Sequence, residues 1–254
     1  MKKKISLVTP VYNEEENIEF FYNAVLGLID TLKDRYEFEF IFTDNHSEDR
    51  TWTILESLAK KDFQVRIIRF SRNFGYQKSI LTGYLNSTGD AAIQLDCDLQ
   101  DPLELIPEFL SLWEQGYKVV YGIRKSREEG FLLHSLRKLY YRLISNISDI
   151  SIPVDAGDFR LVDRRILDEF HLVKDENPYL RGIIAEMGFS QVGIPYDRRA
   201  RTRGKSKFRW ADLWVLGMDG VLNHSILPLK ILFYFGGFIF LLTLGVPRQS
   251  RGIT

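Results

Sequence analysis

Cysteine is nearly absent. The single Cys97 excludes an intramolecular disulfide and fits a reducing compartment. One cysteine and four histidines, none at ligand spacing, argue against zinc. Net charge is absent too: 34 basic residues balance 34 acidic ones, so bulk electrostatics names no partner and nucleic acid is not favoured. No GxGxxG follows the first apolar stretch, which removes the standard dinucleotide-binding turn. Met1-Lys2-Lys3-Lys4 leads into a short strand rather than a long apolar core, so no signal peptide is expected. Internal repeats and low-complexity tracts are also missing. What is present is ordinary globular composition, 45% hydrophobic and 27% charged over 254 residues. That suffices for one large α/β domain or two small ones.

The stretch AAIQLDCDLQDP, residues 91–102, organises the rest. Ala91 to Leu95 reads as a buried strand, and Asp96, Asp98 and Asp101 follow it closely, with Gln100 between. Asp101 followed by Pro102 predicts a helix start, an acidic cap before a proline, ahead of apolar Leu103, Leu105, Ile106, Phe109, Leu110 and Trp113. Acids at the C-terminal end of a strand occupy the place where open α/β sheets bind ligands. Asp96 and Asp98 alternate on an extended backbone, so a turn is needed to bring both near one ion. Carboxylates in that position suit Mg²⁺ or Mn²⁺, which take oxygen ligands and share them with substrate phosphates. A solvated acidic turn is the plainer alternative for D-x-D on its own.

Four more strands are predicted, at Ile5 to Thr9, Phe38 to Thr43, Val65 to Phe70 and Val119 to Ile123. Helical spacing of Ile18, Phe21, Val25, Leu28, Ile29 and Leu32 follows the first, with Asn13 and Glu16 placed to form a capping box. The second strand ends at Asp44-Asn45-His46-Ser47, and Ser47 or Asp49 caps a helix through Trp52, Leu55 and Leu58. A further helix is expected near Gln77 to Leu85. Strands alternating with helices predict a mostly parallel sheet with right-handed crossovers.

The second half is less regular. Leu132, Leu133, Leu136, Leu139, Tyr140, Leu143 and Ile144 form an amphipathic helix that either packs on the sheet or lies on a membrane surface. Pro153 to Arg160 reads as a turn leading into an apolar segment, in which Asp155 and Asp158 are turn formers or Asp158 is a carboxylate held by Arg160. Residues 198–209, RRARTRGKSKFR, hold seven Lys or Arg in twelve positions, either a solvated loop or a phosphate clamp. Ile231 to Val246 is sixteen residues without a charge, a marginal membrane span or a buried helix.

In order, VTPVYNEEENI, DNHSEDRT, SRNFG, LDCDLQDP, DAGDFRL and RARTRGKSKF resemble family 2 glycosyltransferases of the GT-A type. The resemblance is strongest to the polyprenyl-phosphate branch, which includes dolichol-phosphate mannose synthase and the bactoprenol glucosyltransferases. It runs from Ile5 to about Val246. It implies an α/β, Rossmann-like GT-A sheet flanked by helices, with a C-terminal membrane-associated helical segment. The implied organisation is a catalytic domain over 1–210, a juxtamembrane amphipathic segment over 211–230, a transmembrane helix over 231–246 and a tail over 247–254.

The resemblance also implies roles. Pro10, Tyr12, Glu14, Asp44 and Asp96 would bind the nucleotide sugar. Asp96, Asp98 and Gln100 would hold Mg²⁺ or Mn²⁺. Asp158 matches the family's catalytic carboxylate, and Arg201 and Lys207 match its phosphate-holding basic positions. The implied reaction is inverting transfer of a hexose, glucose in the first instance, from a UDP-sugar to a membrane polyprenyl phosphate. The implied place is the inner membrane, with the catalytic domain in the cytoplasm; homo-oligomerisation is left open. The chain departs from the family at one motif. Where the family often has Asp-Asp-Gly-Ser, it has Asp44-Asn45-His46-Ser47, so the second acid is neutral. The rival readings are transfer to a polysaccharide or protein acceptor, a nucleotidyltransferase, and a catalytically degenerate UDP-binding membrane partner.

Overall fold

The computed structural model describes residues 2–125 and 156–199, together with Phe233, Tyr234 and Gly236. The chain divides into two compact units, one of Met1–Gly130 with Ile152–Ser206, the other of Phe131–Ser151 with Lys207–Thr254. Of the second unit only Phe233, Tyr234 and Gly236 are described, and they are helical. The expected amphipathic helix at 132–144 lies outside the described residues, as does the 231–246 run apart from those three positions. Among the described residues no helix is long and apolar enough to cross a membrane.

Seven strands form one sheet. They are β1 (Lys3–Val11), β2 (Tyr36–Asp44), β3 (Val65–Arg69), β4 (Ala91–Gln94), β5 (Val119–Arg124), β6 (Ala156–Asp163) and β7 (Gln191–Tyr196), in the order β3-β2-β1-β4-β6-β5-β7. Each expected strand is found, with its ends within two residues of the prediction. Only β6 runs antiparallel to its neighbours β4 and β5; the other pairings are parallel. Strands in a sheet covered on both faces read as continuous apolar runs. Accordingly Ile5 to Val11 and Phe38 to Asp44 are buried throughout.

Helices cover both faces. On one lie α1 (Ile18–Leu32), α2 (Thr51–Lys61) and α4 (Ile106–Glu114), whose buried Phe21, Leu55 and Phe109 join Phe40 and Phe42 of β2 and Phe159 of β6. On the other lie α3 (Tyr76–Leu85), α5 (Arg164–Glu169) and α6 (Leu180–Glu186), around Val8, Tyr84 and Phe170. Gly83 lets α3 come close to β1: a Cβ there would lie 2.2 Å from a Val8 methyl. Glycine in a helix costs about 1 kcal/mol against alanine, and here it permits that contact.

Four local expectations are corrected. Asn13 does not cap α1: it has φ +53°, and its Oδ1 accepts from the Glu48 N–H instead (2.8 Å). The capping position belongs to Asn17, so the predicted box with Glu16 does not form. Asp101 is not a helix cap either. Pro102 is extended and precedes a single 3₁₀ turn, Leu103–Leu105, before α4 begins, while Asp101 is buried against Tyr196. From Ala156 onward the expected turn is strand β6, whose inward residues complete the sheet beside β4. At α2 the capping position is Arg50, neither Ser47 nor Asp49, although Asp49 Oδ1 accepts from the Thr51 N–H just before the helix (2.9 Å).

At the N-terminal edge of the sheet a single acid joins three stretches. Glu39 of β2 is buried and accepts from Ser6 Oγ (2.6 Å), the Thr88 N–H (2.7 Å), Thr88 Oγ1 (2.8 Å) and Lys4 Nζ (2.9 Å). Burial alone would raise its pKa, but these hydrogen bonds outweigh burial and draw it from 4.5 down to about 2. A carboxyl depressed in the folded state stabilises fully above its unfolded pKa, and that contribution is lost as pH falls through the folded value. Glu39→Gln is therefore expected to lower unfolding free energy by about 2–3 kcal/mol at pH 7. Urea melts of both proteins should show this gap shrinking steadily from pH 4.5 towards pH 2.

Candidate active site

The sheet opens where β1 and β4 part. Their pairing ends at Val8 with Gln94, and the Leu95 N–H still reaches the Val8 carbonyl (2.9 Å). Pro10 lies two residues beyond, paired only on its β2 side with Thr43. A proline has no N–H to offer a further neighbour, so it suits the strand after β4 has turned away. The chain then leaves the sheet on both sides of the crevice. This is also the point where the strand order reverses, the usual ligand-binding place in such sheets.

On the β1 and β2 side, two loops are laced together. Ser47 Oγ accepts from the Asn13 N–H (2.8 Å), and Thr51 Oγ1 from the Glu14 N–H (2.7 Å). Glu15 binds Arg50 through both its N–H and its Nε. Glu14 Oε2 accepts from Asn17 Nδ2 (2.6 Å). Asp44 is wholly buried: its Oδ1 accepts from the Ser47 N–H (3.0 Å), and its Oδ2 lies 3.3 Å from Arg69 Nε. Asn45, the neutral replacement, accepts from the Phe74 N–H (2.8 Å) and so ties this loop to SRNFG. His46 has φ +65°, a backbone region that favours glycine, the residue the family pattern puts there. Pro10, Tyr12, Glu14 and Asp44 thus come together on one wall, with Tyr12 and Glu14 half-buried.

The acids occupy the other wall. The strand ends at Gln94, so the aspartates leave the alternating backbone: Cys97 and Asp98 form a turn, and Leu99 after it has φ +53°. Asp98 is buried, and its Oδ1 accepts from the Gln100 N–H (3.1 Å). Asp96 Oδ1 accepts from Tyr76 Oη (2.6 Å) and Gln94 Nε2 (2.8 Å). Burial raises the Asp96 pKa to about 7; the Tyr76 hydrogen bond lowers it, and the carboxylates of Asp101, Asp98 and Asp158 push it up again. Asp98, Asp101 and Asp158 thus lie within electrostatic reach of Asp96. Tyr76 is likewise pushed well up by burial and by the same acids.

Cations from the second half of the unit face these acids. Asp158, on β6, is gripped by Arg181 of α6, with Nε 3.2 Å from Oδ1 and one terminal nitrogen 3.3 Å from Oδ2. Arg160 lies 4.0 Å from Asp158, and its guanidinium donates to the Gly157 carbonyl (2.7 Å). Asp158 is thus the held carboxylate of the two sequence alternatives. Asp101 accepts from the Tyr196 hydroxyl and has Arg198 at 3.5 Å and Arg124 at 3.9 Å. Gln100 donates to the Arg199 carbonyl (3.2 Å) and accepts the Arg199 N–H at its own carbonyl (3.0 Å). The start of the basic run is therefore pinned beside the acids. Arg201 and Lys207, farther along it, lie outside the described residues.

The donor set fits a hard divalent cation. Carboxylate oxygens crowd one another around Asp96, and such crowding is relieved by a cation. Among the described residues no three acidic, histidine or cysteine side chains form a complete metal cluster by themselves. Mg²⁺ is commonly held by one or two carboxylates together with substrate phosphates. Cys97, between the acids, is buried and packs into the core. Sequence reasoning missed Tyr76, Gln94 and Arg181. Only Tyr76 left a trace, as an aromatic directly after Gly75 at a helix start; Arg181 is 23 positions from the acid it holds.

Comparison with known proteins agrees with this geometry. The description of glycosyl transferase family 2 matches residues 6–170. The uncharacterized glycosyltransferase YkcC of Bacillus subtilis is 41% identical over 91% of this chain and 71% of its own length. The bactoprenol glucosyl transferase of Shigella phage SfX is 38% identical over 93% of this chain and 77% of its own. Among solved structures, a mannosyltransferase from Pyrobaculum calidifontis, in complex with GDP-Man and Mn²⁺, superposes with a TM-score of 0.57. It is 15% identical over 81% of this chain and 59% of that one, a likeness of fold. The sheet, the crevice with its acids and these relatives agree: the chain belongs to glycosyl transferase family 2 and is a glycosyltransferase.

Proposed function

We propose that the protein transfers a hexose, glucose in the first instance, from a UDP-sugar to a membrane polyprenyl phosphate, with inversion at the anomeric carbon. The observation behind this reading is that Asp96, Asp98 and Asp101 follow β4 at the crevice where β1 and β4 part, with Asp158 on the adjacent strand β6. The lipid acceptor is supported by relatives named bactoprenol glucosyl transferase that match nine-tenths of the chain. The apolar 231–246 run and the basic 198–209 run support a place at the cytoplasmic face of the inner membrane, where such an acceptor resides.

Each residue has a task in this reading. Pro10, Tyr12, Glu14 and Asp44 form the wall that takes the nucleotide. Asp96 and Asp98, with Gln100 at their side, would hold Mg²⁺ or Mn²⁺ against the donor diphosphate. When bound, that ion neutralises charge growing on the leaving group. Arg201 and Lys207 would add positive charge for the same diphosphate. In the reaction a phosphate oxygen of the acceptor forms a bond to the anomeric carbon as the bond to the nucleoside diphosphate breaks. The electron pair of the broken bond leaves with the diphosphate. A phosphate monoester has a second pKa of about 6, so near neutral pH the attacking oxygen has no proton to lose. Asp158 therefore orients the acceptor and stabilises positive charge on the sugar ring, rather than acting mainly as a base.

Two outcomes are expected. Chelation should abolish transfer of labelled sugar from UDP-glucose into short-chain polyprenyl phosphate, and Asp96→Asn should weaken metal-dependent UDP binding about tenfold or more by calorimetry. Asp158→Asn should reduce turnover roughly a hundredfold or more while leaving UDP affinity nearly unchanged. Metal-dependent UDP binding without any lipid product would assign the protein a different acceptor. A parallel loss of UDP affinity in Asp158→Asn would move that residue to the donor side.

A further inference from the structure

An anionic acceptor has to approach Asp158 through a field made negative by four carboxylates. Phosphate monoesters bind where guanidinium groups supply matching charge and donors. The described cations around the acids differ in what they face. Arg124 lies 3.3 Å from the Tyr196 hydroxyl and 3.9 Å from Asp101. Arg198 faces Asp101, and Arg199 faces Glu104 at 3.0 Å. Arg160 is near Asp158, but it is 4% exposed and turned to the Gly157 carbonyl.

Arg181 differs from all of these. It grips both oxygens of Asp158, and about a quarter of its side chain (27%) remains exposed. Its helix is also indexed to the acid cluster: the Leu180 N–H donates to Gln77 Oε1 (3.2 Å), the neighbour of Tyr76, which holds Asp96. The guanidinium thus sits at a fixed place beside Asp158, within reach from outside. We infer that Arg181 binds the phosphate group of the acceptor, exchanging carboxylate oxygens of Asp158 for phosphate oxygens as the acceptor arrives. This rests on the acceptor reading given above. It accounts for an arginine being paired with a carboxylate that must work beside an anion. In the free protein the pair is preformed. With acceptor bound, the released carboxylate is turned towards the sugar.

The test uses the full chain in membranes or detergent, with wild type, Arg181→Lys and Arg181→Met. Steady-state transfer from UDP-glucose is measured against short-chain polyprenyl phosphate, and UDP affinity by calorimetry. Arg181→Met is expected to raise the acceptor KM about thirtyfold or more, and Arg181→Lys several-fold, with UDP affinity within about twofold of wild type. A fall in kcat with unchanged acceptor KM in both variants would overturn the inference and leave Arg181 as a positioning residue for Asp158. UDP affinity weakening in step with transfer would place Arg181 at the donor diphosphate and also overturn it. Should Arg181→Met melt early, the KM-against-kcat split of Arg181→Lys decides. Wild-type protein that binds UDP yet makes no lipid product would remove the acceptor reading and this inference together. Wild-type transfer with unshifted KM in the variants removes the inference alone.

Discussion

Like-charge crowding is the constraint on which the upper end of this molecule depends. Carboxylates repel at short range, and the low-dielectric floor of a crevice strengthens that repulsion. Asp96, Asp98, Asp101 and Asp158 nevertheless converge there, and burial with mutual repulsion raises the Asp96 pKa to about 7. The second half of the sheet supplies the counterweights. Arg181 comes from α6, Arg124 from the end of β5, and Arg198 from the segment after β7. Each reaches a particular acid. Asp101 takes the Tyr196 hydroxyl and lies near two arginines, which seats the start of the basic run beside the turn that carries Asp98.

The two ends of the sheet treat charge differently. At the N-terminal edge Glu39 is surrounded by donors, and its hydrogen bonds outweigh the penalty of burial. That carboxyl contributes to stability. At the C-terminal ends of the strands Asp96 has donors on one oxygen only, from Tyr76 and Gln94. A fold maximising its stability would distribute these partners more evenly. The uneven distribution marks which end handles ligands.

Much of this was legible in the sequence, for a physical reason. Buried parallel strands are short apolar runs with sharp polar ends, so five of them could be read at Ile5, Phe38, Val65, Ala91 and Val119, and the acids after Leu95 stood out. Strand β6 was harder because Asp158 and Arg160 interrupt its apolar character; Arg181 holds Asp158, and Arg160 turns to the Gly157 carbonyl. Asp101 misled for a related reason. Asp-Pro before an apolar run is a good local helix signal, yet Tyr196, 95 positions away, claims the side chain. Asn13 was claimed in the same way by the backbone of Glu48. Local patterns predicted the elements, whereas contacts set by strand order decided which side chains the elements could use.

The pairing of Ile123 with Ala156 carries a genealogical consequence. The chain leaves the sheet at the end of β5 and re-enters it at the start of β6, two points that lie side by side. Closing an excursion between adjacent points changes little in free energy as its length grows. Residues between them can therefore be lengthened, shortened or replaced over descent without shifting the register that pairs Arg160 with Gln94 on one side and Tyr121 on the other. The wall formed by β1, β2 and β4 has no such freedom, because every loop on it is tied to another. A lineage built on this sheet can thus vary that excursion while keeping the wall of β1, β2 and β4 nearly constant.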